Sequence, residues 1–420
     1  ECCRFGLILK EKLEIVLKIF ATIPLPNKIH EREMDKIDLP CTFNAGATLG
    51  PVNETNMTRI WNKHKQTNTP LKRKVLVGMS GGVDSSVAAA LLVEQGFEVT
   101  GGFIKNWSDS QDLWTGECQW RGERRDALRV AAMLDIPLLT FDFEQAYRER
   151  VAARLFDGYA RGITPNPDVL CNQEIKFGLF FDEAMRLGFD AVATGHYART
   201  ADGRLFKGVD TEKDQSYFLH RVSHAVLSKT FFPIGGMTKK DVREEARRLE
   251  LPTAEKPDSQ GICFIGKTDF HDFLRKKIPP TPGEIVTPEG EIVGCHDGLD
   301  AATIGQRQGL GVSKDRKAWY VVGKDRERNR LIVVSDRNHP LLWKKEIVLQ
   351  DVHWIRAPES VDVDAVIRYR SAPIACQIFS LDTTRYKLCA VSSFWAPAPG
   401  QSAVLYQAEE CLGGGYIVEM

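Results

Sequence analysis

The sequence predicts an α/β fold in which a parallel sheet forms a large first domain and two β-rich domains follow it. Between Lys74 and Leu249, short apolar runs alternate with segments whose apolar residues recur at helical spacing. This alternation is typical of a parallel sheet covered on both faces by helices. Beyond residue 273, short β-prone runs recur about every ten residues with turn signals between them, which indicates a small β domain and then a barrel or a sandwich.

The elements of the first domain follow from apolar periodicity and turn residues. The predicted strands are Val75–Val77, Phe97–Ile104, Ile136–Phe141 and Ala191–Ala193. The predicted helices are Asp84–Glu94, Arg121–Leu134, Glu144–Tyr159, Glu174–Leu187 and Asp241–Leu249. The last helix ends before Pro252, because proline disfavours helical backbone in the residue before it.

The later domains are predicted from β-prone runs alone. These runs are Trp319–Val322, Leu331–Val334, Glu346–Leu349, Ala365–Tyr369, Cys376–Ser380, Lys387–Val391, Ala403–Tyr406 and Tyr416–Val418. A proline-rich turn, Ile278–Gly283, lies near the expected boundary. We therefore expect four regions, with bounds 1–70, 71–272, 273–339 and 340–420. The first is expected to be a poorly ordered extension without chemistry, and its acidic residues argue against an organelle presequence.

Composition narrows the class of protein. Of the 420 residues, 43% are hydrophobic and 27% are charged, which excludes a wholly disordered chain, a fibrous repeat and a polytopic membrane protein. Lys and Arg together number 56, as do Asp and Glu, so any nucleic acid must be held by local basic patches. The ten cysteines include no C-x-x-C pair. We therefore expect a reducing compartment and no structural zinc or other structural metal site.

The strongest motif is the run Gly78–Ser86, Gly-Met-Ser-Gly-Gly-Val-Asp-Ser-Ser, between a predicted strand and a predicted helix. Small residues let backbone N–H groups converge on an anion, and the helix N-terminus adds partial positive charge. The Gly-Lys-Ser/Thr ending of a Walker loop is missing. Asp84 is interpreted either as a carboxylate for Mg²⁺ or as a helix cap.

Two cysteines are predicted to be reactive thiols in loops. Cys171 follows two prolines, and Asp168 precedes it by three residues. Cys263 lies in the glycine-containing run Ser-Gln-Gly-Ile-Cys-Phe. A loop setting with polar neighbours favours a reactive thiol over a buried hydrophobe.

Together these motifs resemble the tRNA-specific 2-thiouridylases, a family of the PP-loop N-type ATP pyrophosphatases. The motifs that carry the resemblance occur in order: the loop Gly78–Ser85, Lys105-Asn106-Trp107, Pro165–Cys171, Thr194–Tyr197, Lys213–Ser216 and Ser259–Phe264. The resemblance covers about residues 72–420. It implies a PP-loop catalytic domain, a small central domain and a C-terminal β-barrel that contacts tRNA.

The resemblance also implies roles for individual residues. ATP would be bound by Gly78, Met79, Ser80, Gly81, Gly82, Val83, Asp84, Ser85, Ile104 and Gly195. The tRNA would be contacted by Asn166, Pro167, Asp168, His196, Lys213, Asp214, Gln215, Arg368, Tyr369 and Gln401. Ile104 departs mildly from the methionine that is common at this position in the family.

The chemistry implied by the resemblance is the activation of the 2-oxygen of the wobble uridine by ATP, with Mg²⁺, followed by sulfur transfer. Cys263 would carry a persulfide, Asp168 would act as general acid or base, and Cys171 would either release sulfide or resolve an adduct with the base. The partners would be tRNAs for Lys, Glu and Gln and a persulfide donor such as a cysteine desulfurase or a sulfur carrier. A bacterial cytoplasm is expected, with a mitochondrion as the alternative and no membrane partner.

Two other functions are compatible with parts of the sequence. A PP-loop ligase or amidotransferase acting on a small carbonyl compound would explain the loop but leaves both thiols unused. An RNA-binding scaffold without catalysis would explain the basic patches, but the intact Ser80–Ser86 run argues against it. Release of pyrophosphate that depends on unmodified tRNA would separate the thiouridylase from both.

Overall fold

The computed structural model describes residues 72–108, 118–258, 274–275, 277–300, 302–312 and 317–418. The expected extension, 1–70, and Cys263 lie outside the described residues. Within the described part, no helix is long and apolar enough to cross a membrane.

A five-stranded parallel sheet forms the centre of the first domain. Its strands are β1 (Lys74–Gly78), β2 (Glu98–Lys105), β3 (Leu138–Asp142), β4 (Ala191–Thr194) and β7 (Thr230–Phe231), in the order β3-β2-β1-β4-β7. Val75, Leu76 and Val77 are completely buried, because a central parallel strand is covered on both faces. The run Gly78–Ser86, here called the Ser80 loop, therefore begins at the carboxyl end of the middle strand β1. Ligands bind at this end of the strands in open α/β sheets.

Helices cover both faces of this sheet. The α-helices are α1 (Val83–Glu94), α2 (Gln119–Met133), α3 (Glu144–Tyr147), α4 (Ala153–Ala160), α5 (Pro167–Cys171), α6 (Phe180–Arg186), α7 (Ser216–Leu219), α8 (His224–Leu227) and α9 (Lys239–Arg248). Two π-helical stretches, Arg148–Ala152 and Asn172–Leu179, join α3 to α4 and α5 to α6. Val75 and Val77 pack with α1 and α9 on one face, and Leu76 packs with Phe180 on the other. This arrangement confirms the predicted sheet with two covered faces.

The central domain is a small four-stranded sheet. Its strands are β8 (Gly283–Val286), β9 (Ile292–His296), β10 (Tyr320–Asp325) and β11 (Arg330–Val334), in the order β10-β11-β8-β9. Arg326, in the β10–β11 turn, donates to the carbonyls of Ala160 and Arg161, and Lys324 donates to Gly162 at 2.9 Å. These cations meet the partial negative charge at the carboxyl end of α4 and hold the central domain against the first.

The C-terminal domain is a closed six-stranded antiparallel barrel. Its strands are β12 (Trp343–Trp354), β13 (Asp362–Val366), β14 (Ile374–Ser380), β15 (Tyr386–Trp395), β16 (Ser402–Gln407) and β17 (Glu410–Ile417), and pairing of β12 with β17 closes it. Closure removes the exposed edges of the sheet. The fold class, with a barrel rather than a sandwich, is confirmed.

A hairpin from the first domain extends the barrel. Strands β5 (Ala198–Ala201) and β6 (Arg204–Lys207) pair with each other, and β6 pairs with β17. The sequence did not predict this hairpin. The hairpin follows β4 of the parallel sheet and so links the first domain to the barrel.

The junction of hairpin and barrel contains a carboxylate held by two guanidinium groups. Glu410 is 5% exposed and accepts hydrogen bonds from Arg204 and Arg356, at 2.8 Å from the Nε atom of each. Hydrogen bonds from Arg204 and Arg356 lower the pKa of Glu410 to about 2. The charged carboxylate therefore stabilises the fold at every pH above its unfolded pKa of about 4.5.

Glu410→Gln is expected to lower the free energy of unfolding by about 2 kcal/mol at pH 7, because two guanidinium groups lose their charged acceptor. As the pH falls from about 4.5 to about 2, the wild-type carboxylate takes up a proton in the folded state as well, so the difference should shrink toward zero. Urea unfolding of both proteins at pH 7 and pH 3 measures this. The control is Glu409→Gln, whose side chain is 71% exposed in its pair with Arg199, so its effect should stay below about 0.5 kcal/mol. Equal destabilisation by the two variants would contradict the argument.

Candidate active site

The Ser80 loop forms an anion cradle at the N-terminus of α1. Gly82 is the N-cap of α1 and no side chain caps the helix, so the first N–H groups are not taken by a protein side chain. The Ser80 N–H donates to Ser85 Oγ at 3.1 Å, and the Ser80 and Ser85 hydroxyls are 3.2 Å apart. Ser80 is exposed while Met79 and Ser85 are buried. Backbone donors and hydroxyls thus converge at a helix end, which fits a phosphate group.

Two glycines let backbone pack directly against this loop. A Cβ atom on Gly81, which has a φ of +74°, would be 2.2 Å from the carbonyl oxygen of Glu123. A Cβ atom on Gly195 would be 2.6 Å from the backbone of Asp84 and Ser85. The end of β4 therefore supports the first turn of α1 with no space for a side chain. This contact places the predicted Gly195 against the predicted loop.

Asp84 forms an ion pair instead of capping the helix. Lys239 Nζ is 2.8 Å and 2.9 Å from its two carboxylate oxygens, and the Tyr197 hydroxyl donates to Oδ1 at 2.8 Å. The helix-cap interpretation of Asp84 is therefore wrong. Both carboxylate oxygens are bound by the Lys239 ammonium in this arrangement, and the magnesium role of Asp84 stays a prediction. Among the described residues no three His, Cys, Asp or Glu side chains are grouped to hold a metal.

Lys239 also reaches a second carboxylate, Asp258. The Asp258 oxygens lie 2.7 Å from Lys239, 2.9 Å from Lys213 and 2.8 Å from Arg243. Burial alone would raise the pKa of Asp258, but hydrogen bonds and charge from Lys239 and Lys213 outweigh it and hold that pKa well below its usual value. Asp258 therefore stays ionised and fixes the chain five residues before Cys263.

The same stretch of chain contacts the loop directly. Lys256 Nζ donates to the Gly81 carbonyl at 2.9 Å and to Asp126, on α2, at 2.6 Å. The sequence predicts no role for Lys239, Lys256 or Asp126. No sequence signal could have found these contacts, because their partners are 130 to 175 positions apart.

Cys171 lies on a helix, so the loop predicted around it is wrong, as is the predicted helix start at Glu174. Asn166 accepts from the N–H groups of Asp168 at 3.0 Å and Val169 at 3.3 Å and caps α5, with Pro167 in its first turn. Proline starts a helix well because its fixed φ suits the first turn and its missing N–H has no helical partner there. The residues expected to surround the base thus form the N-terminus of the helix that ends at Cys171.

The Cys171 thiol is 1% exposed. It packs in an apolar cluster whose buried members include Tyr147, Leu155, Ile175 and Leu274. The pKa of Cys171 is raised to about 11, mainly by burial, while the Lys176 charge lowers it and the Asp168 charge raises it. The thiol is therefore protonated at neutral pH in this arrangement, and the reactive thiolate requires a change in its surroundings. The π-helical stretch that begins at Asn172 gives the helix an irregular backbone beside the thiol.

His196 is buried, and its ring packs against Phe177 and Phe232. Its Nδ1 is 2.7 Å from the Thr194 hydroxyl and its Nε2 is 3.4 Å from Lys176 Nζ. Burial, with a smaller effect of the Lys176 charge, holds the pKa of His196 well below its usual value. Ile104, the residue predicted to lie near the adenine, packs on the apolar cluster around Cys171 and also on the cluster around Leu76 of β1.

The other residues predicted to contact tRNA make contacts within the protein. Asp214 accepts from the Gly208 N–H and the Ser216 hydroxyl, both at 2.9 Å, and Gln215 accepts from the Tyr197 N–H at 3.0 Å. These bonds fix the loop that presents Lys213. The tRNA roles of all three residues stay predictions.

Three predicted tRNA contacts from the barrel lie at the junction of the domains. Gln401 donates to the Thr164 carbonyl at 2.6 Å, two residues before Asn166. Arg368 donates to the carbonyls of Ile304 and Ala396, at 2.5 Å and 2.7 Å. Tyr369 packs against Phe218, with ring centroids 4.5 Å apart. The barrel thus supports the turn that leads into the Cys171 helix.

Comparison with known proteins agrees with this architecture. Residues 73–267 match a family model described as tRNA methyl transferase HUP domain. Residues 271–335 match a tRNA methyl transferase PRC-barrel domain and residues 344–417 an aminomethyltransferase beta-barrel domain. The loop, the parallel sheet and the first match define a nucleotide-binding protein of the HUP class.

Curated relatives place the chain within this class. It is 49% identical to the tRNA-specific 2-thiouridylase MnmA of Methylobacillus flagellatus, over 83% of this chain and 99% of the relative. It is also 49% identical to the proteins of that name from Burkholderia multivorans, over 82% of this chain and 93% of the relative, and Polynucleobacter asymbioticus, over 82% and 96%. The chain belongs to the tRNA-specific 2-thiouridylase family.

Proposed function

We propose that this protein is a tRNA 2-thiouridylase that adenylates the 2-oxygen of wobble uridine with ATP and replaces it with sulfur from a cysteine persulfide, releasing AMP and pyrophosphate. The observation that carries the proposal is the placement of the chain on both sides of Cys263. Asp258 is fixed at the nucleotide loop, and Leu274 packs in the cluster around Cys171. Lys239, which pairs with Asp258, also pairs with Asp84 of the loop, so the described residues that flank Cys263 contact the two parts of the predicted site.

The first step would use the loop as a phosphate site. The first N–H groups of α1 and the hydroxyls of Ser80 and Ser85 would bind the phosphates of ATP. Attack of the uracil 2-oxygen on the α-phosphate forms the adenylate and releases pyrophosphate. AMP is then a far better leaving group than a carbonyl oxygen, and Asp168 would move the proton on the ring.

Two routes of sulfur transfer balance in atoms and electrons. In one, Cys171 attacks the Cys263 sulfur of the persulfide, a disulfide forms, and the released sulfide displaces AMP from the base. In the other, the terminal persulfide sulfur displaces AMP, and Cys171 then attacks Cys263 to free the thiolated base. Both leave a Cys171–Cys263 disulfide, which an external thiol must reduce.

The partners follow from this chemistry. We propose wobble-uridine tRNAs for Lys, Glu and Gln as substrates and a cysteine desulfurase or sulfur carrier as the persulfide donor. The relatives named above are bacterial, which favours a bacterial cytoplasm over a mitochondrion. Methyl transfer, the activity in the name of the family model, would leave the phosphate cradle and the thiols without a role.

The test is mass spectrometry of the wobble uridine after tRNA, ATP and a sulfide source are incubated with the protein. We expect an exchange of oxygen for sulfur at that nucleoside, together with pyrophosphate release that requires unmodified tRNA. Pyrophosphate release without any need for tRNA would favour the small-molecule ligase. No ATP turnover at all would favour the RNA-binding scaffold.

A further inference from the structure

Lys256 joins the nucleotide loop to the chain that leads to Cys263. Its ammonium is shared between the Gly81 carbonyl, at 2.9 Å, and the Asp126 carboxylate, at 2.6 Å. The Lys256 side chain is 33% exposed. Asp126 supplies a full countercharge from α2, so the ammonium does not depend on the loop carbonyl for its neutralisation. Its contact with Gly81 is therefore a separate feature of the site.

The Gly81 carbonyl is a sensitive place to hold the loop. In a trans peptide the carbonyl and the following N–H point in opposite directions. By fixing the Gly81 carbonyl, Lys256 fixes the Gly82 N–H on the other side, which donates to Ser80 Oγ at 3.4 Å. The same ammonium thus orients the backbone that holds the Ser80 hydroxyl of the anion cradle.

The backbone around Lys256 is held as firmly as its side chain. Arg243 donates to the Ala254 carbonyl at 2.6 Å, and the Lys256 N–H donates to the Thr253 carbonyl at 3.1 Å. Pro257 also restricts the backbone of Lys256, the residue before it. Asp258 is then bound by three cations. A movement of the Gly81 carbonyl would therefore displace Lys256 together with residues 254–258, because hydrogen bonds and ion pairs hold that stretch as a unit.

We propose that Lys256 is a positioning residue that couples occupancy of the phosphate loop to sulfur transfer, by fixing the start of the Cys263 segment to Gly81. The proposal rests on the proposed function. It requires that adenylation and sulfur transfer become uncoupled when the Lys256–Gly81 contact is lost. An adenylated uridine that sulfur does not attack is hydrolysed back to uridine and AMP. Pyrophosphate has then been released without a thiolated product.

The test compares Lys256→Met with Lys240→Met in a tRNA assay that measures pyrophosphate and thiolated uridine together. Lys240 is the matched control, because its side chain is 84% exposed and 3.8 Å from Glu244. We expect Lys256→Met to lower thiolated product at least about tenfold, since a displacement of about 1 Å at a reacting group can cost a hundredfold. The ratio of pyrophosphate to thiolated uridine should rise. The assay is run at saturating ATP, so that a change in the Kd for ATP does not enter this ratio.

Lys256→Arg can still donate to the Gly81 carbonyl, so its ratio of pyrophosphate to thiolated uridine should be that of the wild type. If Lys256 only stabilised the fold, the ratio would not depend on whether residue 256 can donate to Gly81. If Lys256→Met does not fold, Lys256→Leu takes its place, because it also removes the donor to Gly81 and should raise the ratio to the same extent. A wild-type ratio in a folded Lys256→Met or Lys256→Leu protein would overturn the proposal. Absence of thiolated uridine with the wild-type protein would instead overturn the proposed function.

Discussion

Cys171→Ser is expected to reduce thiolation of tRNA by at least about a thousandfold, because a hydroxyl cannot attack a persulfide and form the disulfide that both routes require. The affinity for ATP should stay within about twofold of the wild type. Cys171 packs with Tyr147, Leu155 and Ile175, and none of these belongs to the phosphate loop. Thiolated uridine is measured by mass spectrometry and ATP binding by calorimetry on the same preparations.

The control for this substitution is Cys376→Ser in the barrel. Cys376 is also buried, at 2% exposure, and burial raises its pKa to about 12. Its thiol faces the Val363 carbonyl at 3.5 Å, a contact that a serine hydroxyl can keep. It should therefore retain full thiolation. Cys263→Ser should behave like Cys171→Ser, and full thiolation by either would refute the two-thiol relay.

The parallel sheet could be predicted because its signals are local. Val75-Leu76-Val77 indicates a buried strand, and the Ser-Gly-Gly run after it indicates a phosphate loop, without knowledge of any distant residue. The structure places both where the sequence indicated, and Gly195 lies against the loop.

The features that were missed depend on partners far along the chain. The hairpin Ala198–Lys207 has strands of four residues each, and Leu205 is aligned with Cys411 on the barrel. Such short strands have little periodicity of their own. The start of the Cys171 helix was missed for a different reason. Prolines were interpreted as loop residues, whereas Pro167 follows a capping Asn166 and begins a helix.

The ion pairs of the site show the same limit. Lys239 stands at the start of a helix that Thr238 caps, two residues before the predicted start at Asp241. Its contact with Asp84 joins residues 155 positions apart. Composition shows that positive and negative side chains are equal in number, but it does not show which of them form ion pairs. The reactive character of Cys171 was inferred from polar neighbours, while the structure buries the thiol among apolar side chains. A reactive Cys171 therefore requires a movement that exposes its thiol.

Gly195→Ala is expected to weaken ATP binding by about a hundredfold, because a displacement of about 1 Å at the cradle misaligns its donors. The new Cβ atom would be 2.6 Å from the Asp84 carbonyl carbon and the Ser85 nitrogen. Both neighbours are backbone atoms, so the first turn of α1 or the end of β4 has to move. Stability should fall by about 1–3 kcal/mol, as for other overpacked sites.

The matched control is Gly236→Ala, since a Cβ atom on Gly236 would meet nothing within 4 Å. Calorimetric titration with ATP, together with thermal unfolding in its absence, separates the loss of affinity from the loss of stability. If Gly195→Ala bound ATP as well as Gly236→Ala, the close approach of β4 to the loop would not shape the nucleotide site. Retention of adenosine binding alongside the loss of ATP binding would locate the damage at the phosphates, where the argument from the Asp84 and Ser85 backbone places it.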